Sequence, residues 1–206
     1  MKIYDFEGFP NPTRIRIALA EKGITDKIEF IKIDVPGGEH RKPEFLAKNP
    51  SGAVPVLELD DGTMISECTA ITEYLDHALP GHSLTGTTPK SRAIIHMMQR
   101  RAEQNVLDAA TGYFHHATEG LGPTIETYQN KSWGEKQLER VMDGHRYFDS
   151  VLANSTYVAG DSFSMADITL YAGYGFANFI KLEIPPELNN LDAWYERVSQ
   201  RPSIKG

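Results

Sequence analysis

Asn49-Pro50-Ser51-Gly52-Ala53-Val54-Pro55-Val56-Leu57 is the stretch on which the reading of the first half of the chain turns. A proline cannot donate to a strand ladder, so Pro55, second in a strand-like run, marks a special edge. Two readings are open. Either Pro55 is the first residue of an edge strand, or the Val54–Pro55 bond is cis and turns the Val54 backbone groups outward. In the second case an extended thiol peptide can pair with them as an added strand. Downstream, Val54–Leu59 and Thr63–Ser66 flank Asp60-Asp61-Gly62, a hairpin turn. Upstream, Lys2–Phe6 reads as a strand and Thr13–Lys22 as a helix with Ile15, Ala18 and Leu19 on one side. Gly23 stops that helix, and Ile28–Ile33 is the next strand. Strand, helix and strand within about 30 residues form a βαβ unit with parallel strands. A short connecting helix follows, and a last helix starts near Glu67, with Ala70, Ile71, Tyr74, Leu75 and Ala78 facing one way. Residues 1–79 thus predict a small mixed sheet with helices against it.

The texture then changes. Residues 80–89, from Pro80 to Pro89, are rich in breakers and read as a linker, and residues 90–206 read as helical throughout. Ile95, Met98, Ala102, Val106, Ala109 and Tyr113 step by three and four, as do Leu138, Val141, His145, Phe148 and Leu152. Met165–Ile180 carries one charged residue, Asp167, and reads as the buried centre of a bundle. Leu191, Trp194, Tyr195 and Val198 mark a final amphipathic helix. The fold class is α/β followed by an all-α domain.

Composition narrows the partners. The 206 residues include 28 acidic and 21 basic side chains, a formal charge of −7, which argues against nucleic acid. A single cysteine makes no internal disulfide and no zinc site, and it fits a reducing cytosol. No apolar run approaches a bilayer span, so no membrane partner is expected. His115-His116 are neighbours that point about 100° apart on a helix, with no ligand set around them, so no metal is expected either.

A second segment carries chemistry. Ser66-Glu67-Cys68-Thr69-Ala70-Ile71 follows a strand and opens a helix. The Cys68 and Thr69 amides there are a seat for a carboxylate, and Glu67 beside them suits an ammonium group. The plainer alternative is that Ser66 or Glu67 caps the helix. Ser164 with Asp167 three residues on is a capping-box variant, read as structural.

These segments together resemble the glutathione transferase family. Gly38-Glu39-His40-Arg41-Lys42-Pro43-Glu44-Phe45-Leu46 is similar to its glutathione-glycine arm, and Ile15–Gly23 to its first helix. Tyr157-Val158-Ala159-Gly160-Asp161 with Ser164-Met165-Ala166-Asp167 resembles its helical-domain signature. The resemblance implies a thioredoxin-like first domain that binds glutathione as co-substrate, and a helical domain that supplies most of the pocket for a small electrophile. It also implies a cytoplasmic homodimer. Val54 and cis-Pro55 would hold the cysteinyl backbone, Glu67 and Cys68 the γ-glutamyl end, and His40 and Arg41 the glycine carboxylate. Cys68 stands where serine is usual and Ala53 where glutamine is common, which predicts weaker glutathione binding.

Thiol activation is where the chain departs from the family. Phe9 occupies a position where many relatives place serine or threonine, and the loop Phe6–Thr13 holds no cysteine. The remaining donors are Asn11, which the resemblance favours, Tyr4, and Thr13, which more simply bonds its own backbone. A plain N-cap is the alternative for Asn11. Phe9, Tyr113 and His116 are expected to line the electrophile pocket. Conjugation of the glutathione thiolate to an electrophile is the expected activity. Reduction of disulfides or peroxides with glutathione, or glutathione binding without catalysis, are the alternatives.

Overall fold

Parallel pairing of β1 (Lys2–Asp5) with β2 (Glu29–Lys32) follows from the helix between them, α1 (Pro10–Glu21). β3 (Val56–Glu58) runs antiparallel to β1, and β4 (Met64–Ser66) antiparallel to β3, giving the sheet order β2-β1-β3-β4. Ile3 pairs with Leu57, and both join Ile15 and Leu19 of α1 and Ile71 and Leu75 of α3 (Cys68–Ala78) in one buried cluster. Tyr4 and Val56, one residue further along, point to the opposite face of the pleat. The short connecting helix is α2 (Pro43–Leu46). The computed structural model describes residues 1–205, which divide into two units, one of Met1–Leu84 and one beginning at Thr85.

Two elements of the first unit differ from expectation. Helix α1 starts at Pro10, three residues before the expected start at Thr13. Pro10 and Pro12 fall in the first turn, where a missing N–H costs nothing and a fixed φ favours the helix. The breaker-rich stretch after Leu79 is not loose at its start. Lys22 Nζ lies 2.6 Å from Asp76 Oδ1 and donates to the His82 carbonyl at 2.8 Å. Asp76 in turn accepts from Ser83 Oγ at 3.0 Å and Leu84 N–H at 2.9 Å. Polar groups of a turn that must be buried are thereby satisfied, and Leu84 is fully buried.

The second unit contains α4 (Pro89–Ala102), α5 (Asp108–Ala117), α6 (Lys131–Leu152), α7 (Met165–Phe179), α8 (Asn189–Ser199) and α9 (Pro202–Lys205). The first apolar stripe is not one regular helix. Glu103–Leu107 forms a π turn between α4 and α5, closed by Asp108 N–H on the Glu103 carbonyl. Glycines of the neighbouring helices accommodate it. A Cβ at Gly144 of α6 would lie 2.5 Å from the Asn105 carbonyl oxygen, and one at Gly173 of α7 3.0 Å from a Val106 methyl. Helix α7 has the expected capping box, with Ser164 Oγ accepting from Ala166 N–H and Asp167 accepting from Ser164 N–H. Apart from half-buried Tyr171 it is buried up to Tyr174, but its last turn emerges and leaves Phe179 77 % exposed.

His145 of α6 is fully buried beside Tyr174, and neither ring nitrogen has a hydrogen-bond partner among the described residues. Burial pushes its pKa down to about 4, only partly opposed by Asp192. The unfolded chain therefore takes up this proton near 6.5 and the folded chain near 4, so the contribution is present above 6.5 and lost as pH falls towards 4. Comparison of urea unfolding of the parent and His145→Phe is expected to show this as a difference of about 3 kcal/mol built up across that window.

Candidate active site

The turn before β3 is built by Asn49, which is buried. Its Nδ2 donates to the Ala53 carbonyl at 2.7 Å, and its Oδ1 accepts from Ser51 N–H at 3.2 Å and Ser51 Oγ at 2.9 Å. Gly52 has φ +62°, and a Cβ there would approach the His40 carbonyl oxygen to 3.2 Å. The turn delivers a cis Val54–Pro55 peptide, with Pro55 buried and β3 opening at Val56. Among the described residues no hydrogen bond engages the backbone of Val54. His40 lies under the same turn, buried, with Nδ1 unpartnered among the described residues. Burial, and secondarily the charge of Arg41, hold His40 below its ordinary pKa. Arg41 is exposed.

The second rim of the site is the start of α3. Glu67 occupies the cap position with φ 70° and ψ 119°, outside the basins that a non-glycine residue favours, and its side chain makes no cap hydrogen bond. The plainer alternative of a Ser66 or Glu67 side-chain cap is therefore overturned. Backbone conformations of this kind cost of order 1–3 kcal/mol and persist where the surrounding structure imposes them. The Glu67 carboxylate is exposed and makes no hydrogen bond or ion pair among the described residues. Cys68 is buried, and its thiol donates to the Asn11 carbonyl at 3.4 Å instead of facing outward.

Asn11 is the second residue of α1. Phe9 holds the cap position without a side-chain bond, so the N-cap alternative for Asn11 does not stand. Asn11 Oδ1 accepts from Arg14 Nη1 at 3.0 Å, which leaves Nδ2 as the free arm, without a hydrogen bond among the described residues. Tyr4 is placed differently. Its hydroxyl donates to Glu58 Oε2, its ring lies under Lys48 Nζ at 4.6 Å, and the bond to Glu58 is the main reason that carboxyl sits below its usual range. A phenol has one proton, and this one is committed. Thr13 Oγ1 bonds the Phe9 carbonyl at 2.8 Å, its own backbone. Phe9 packs on Phe6 with ring centroids 4.6 Å apart.

Tyr113 and His116 stand half-buried on α5 in the second unit. His116 Nδ1 accepts from Asn130 N–H at 3.1 Å, while His115 Nδ1 lies 2.7 Å from Glu126 Oε1. The adjacent histidines are thus used separately, and no group that could hold a metal occurs among the described residues.

Comparison with known proteins gives a consistent result. The family "Glutathione S-transferase, N-terminal domain" matches residues 10–78, and "Glutathione S-transferase, C-terminal domain" matches residues 94–202. Glutathione S-transferase 2 of Saccharomyces cerevisiae is 59 % identical over the whole chain and 88 % of its own length. A crystal structure of a glutathione S-transferase domain-containing protein from Marinobacter aquaeolei superposes with TM-score 0.98 at 59 % identity, over 99 % of this chain and 100 % of that one. The structure of Gtt2 from S. cerevisiae also gives 0.98, at 57 % identity, covering 100 % of this chain and 99 % of that one. With a fold of two such units and strained backbone at the expected glutathione contacts, the chain belongs to the glutathione S-transferase family.

Proposed function

We propose that the protein is a glutathione transferase that ionises the thiol of bound glutathione and directs it at a small electrophile. The observation that carries this reading is the start of α3, where Glu67 is held at φ 70° and its side chain does not cap the helix. That geometry suits the amino-acid end of glutathione, its carboxylate on the α3 amides and its ammonium beside Glu67. The backbone of Val54, next to Pro55, takes the cysteinyl residue as an added strand. His40, with an unpartnered Nδ1, and exposed Arg41 take the glycine carboxylate. Asn11 Nδ2 donates to the sulfur. A free thiol has a pKa of about 8.5, so a donor aimed at the thiolate raises the reactive fraction near neutral pH. Tyr4 serves as a prop of the β1–β3 pair, its hydroxyl spent on Glu58.

Phe9, packed at a tilt on Phe6 and unable to donate, is proposed as an apolar contact of the electrophile, as are Tyr113 and His116 on α5. The small electrophile is the second substrate, and a cytoplasmic homodimer completes the proposal. No helix among the described residues is long and apolar enough to cross a membrane. Sedimentation at equilibrium checks the dimer.

Assays with glutathione decide the activity. Conjugation of a chloronitrobenzene is the expected result. Turnover of small disulfides or hydroperoxides without conjugation overturns it in favour of reduction, and silence in both, with binding retained, makes the protein a non-catalytic binder. The inward thiol of Cys68 leads to a further expectation. Cys68→Ser restores a hydroxyl donor for the glutamyl carboxylate and tightens glutathione binding in calorimetry by about fivefold, the worth of one hydrogen bond of about 1 kcal/mol. Unchanged or weaker binding would mean that the side chain at position 68 does not reach the glutamyl carboxylate.

A further inference from the structure

An asparagine can turn either of two faces to an anion. Its Nδ2–H groups stabilise a thiolate and its Oδ1 repels one, and a half-turn about the last side-chain bond exchanges them. At Asn11 the choice is made by a buried neighbour. Arg14, one turn along α1 and only 4 % exposed, donates from Nη1 to Asn11 Oδ1 at 3.0 Å. A guanidinium has donors and no acceptor, so a reversed amide would set N–H against N–H beside a buried cation. Cys68 Sγ, reaching over from the start of α3, lies 3.8 Å from the same Oδ1 and 3.4 Å from the Asn11 carbonyl oxygen. A thiol has one proton and this one goes to the carbonyl, so the choice of face rests on Arg14.

We infer that Arg14 is a positioning residue for thiol ionisation: it fixes the Asn11 amide with Nδ2 turned out as donor, and it acts on the glutathione sulfur only through that amide. The inference rests on the reading of Asn11 as the donor to sulfur. Arg14 also polarises what it holds, since a cation on Oδ1 withdraws density from the amide and strengthens the Nδ2–H donors. Lysine would keep a charge there without the planar fork that sets the orientation.

The test is the ultraviolet thiolate absorbance of protein-bound glutathione, followed against pH in the parent, Asn11→Ala, Arg14→Met and the double variant. Each single change is expected to raise the pKa of the bound thiol by about one unit, the size of one hydrogen bond to a charged group. The double variant is expected to match Asn11→Ala, because with the amide gone Arg14 has nothing left to orient. If Arg14→Met raises the pKa as much on the Asn11→Ala background as on the parent, Arg14 acts by its own field or through the fold. That result overturns the inference and leaves the Asn11 reading intact. If Asn11→Ala leaves the pKa unchanged, both fall together. Arg14→Lys keeps the buried charge and carries the same cycle should Arg14→Met fail to fold, with a smaller rise on the parent and none on Asn11→Ala.

Discussion

Asp167→Ala is expected to destabilise the protein by about 3–5 kcal/mol, seen as a lowered urea midpoint, because it orphans several buried donors at once. Asp167 Oδ1 accepts from Val158 N–H at 2.9 Å and Trp194 Nε1–H at 3.0 Å. Its Oδ2 accepts from Ser164 N–H and Ser164 Oγ, both at 3.1 Å. One carboxylate thus ties the loop before α7, the cap of α7 and the fully buried indole of α8. Each donor left without a partner costs about 1–3 kcal/mol, and a relaxed variant recovers only part of that with water. Burial lifts the Asp167 pKa to about 6, against the bonds from Val158, Trp194 and Ser164. With the folded value above the unfolded one, protonation favours the folded state, so this contribution is fully present below about 4 and lost as pH rises through about 6. The slope is opposite to that of His145 over nearly the same range. Parent stability should therefore be flatter between pH 4 and 6 than that of His145→Phe, whose remaining Asp167 slope falls as pH rises.

Lys22→Met is the second large effect. The two side chains of the Lys22–Asp76 pair are 1 % and 2 % exposed. Removing one partner of a buried pair leaves the other charge uncompensated, typically a loss of about 3–5 kcal/mol. Asp76 keeps the Ser83 and Leu84 bonds, but the His82 carbonyl loses its bond from Lys22 Nζ. Urea unfolding is expected to show the loss in this range, and limited proteolysis is expected to cut within residues 80–89 faster than in the parent. A loss under 1 kcal/mol with unchanged cutting would mean that the pair does not hold this segment.

These clamps also mark what a sequence can reveal. Pro55, Gly62 and the Ser164–Asp167 spacing act on their immediate neighbours, so local rules suffice to find them. The parallel β1–β2 pair follows from the intervening helix. Contacts made across the chain are another matter. Nothing near Asp76 announces Lys22, nothing near Tyr4 announces Glu58, and nothing near Asp167 announces Trp194. The π turn at Glu103–Leu107 leaves the apolar spacing of its helix almost unaltered, and its fit depends on Gly144 and Gly173 from two other helices. At the site, Val54, Pro55, Glu67 and Cys68 were legible as residues of interest. The strained φ of Glu67 and the inward turn of the Cys68 thiol depend on tertiary packing. Asn49, which shapes the turn, and Arg14, which holds Asn11, carried no local signal beyond their place beside recognisable neighbours.

The most direct measurement is the pH titration of the thiolate absorbance of glutathione bound to the parent protein. A midpoint at least a unit below the free-thiol value of about 8.5 is the predicted result. A midpoint equal to that of free glutathione, with binding demonstrated in the same sample, would contradict the account, since the site would then hold the peptide without activating it.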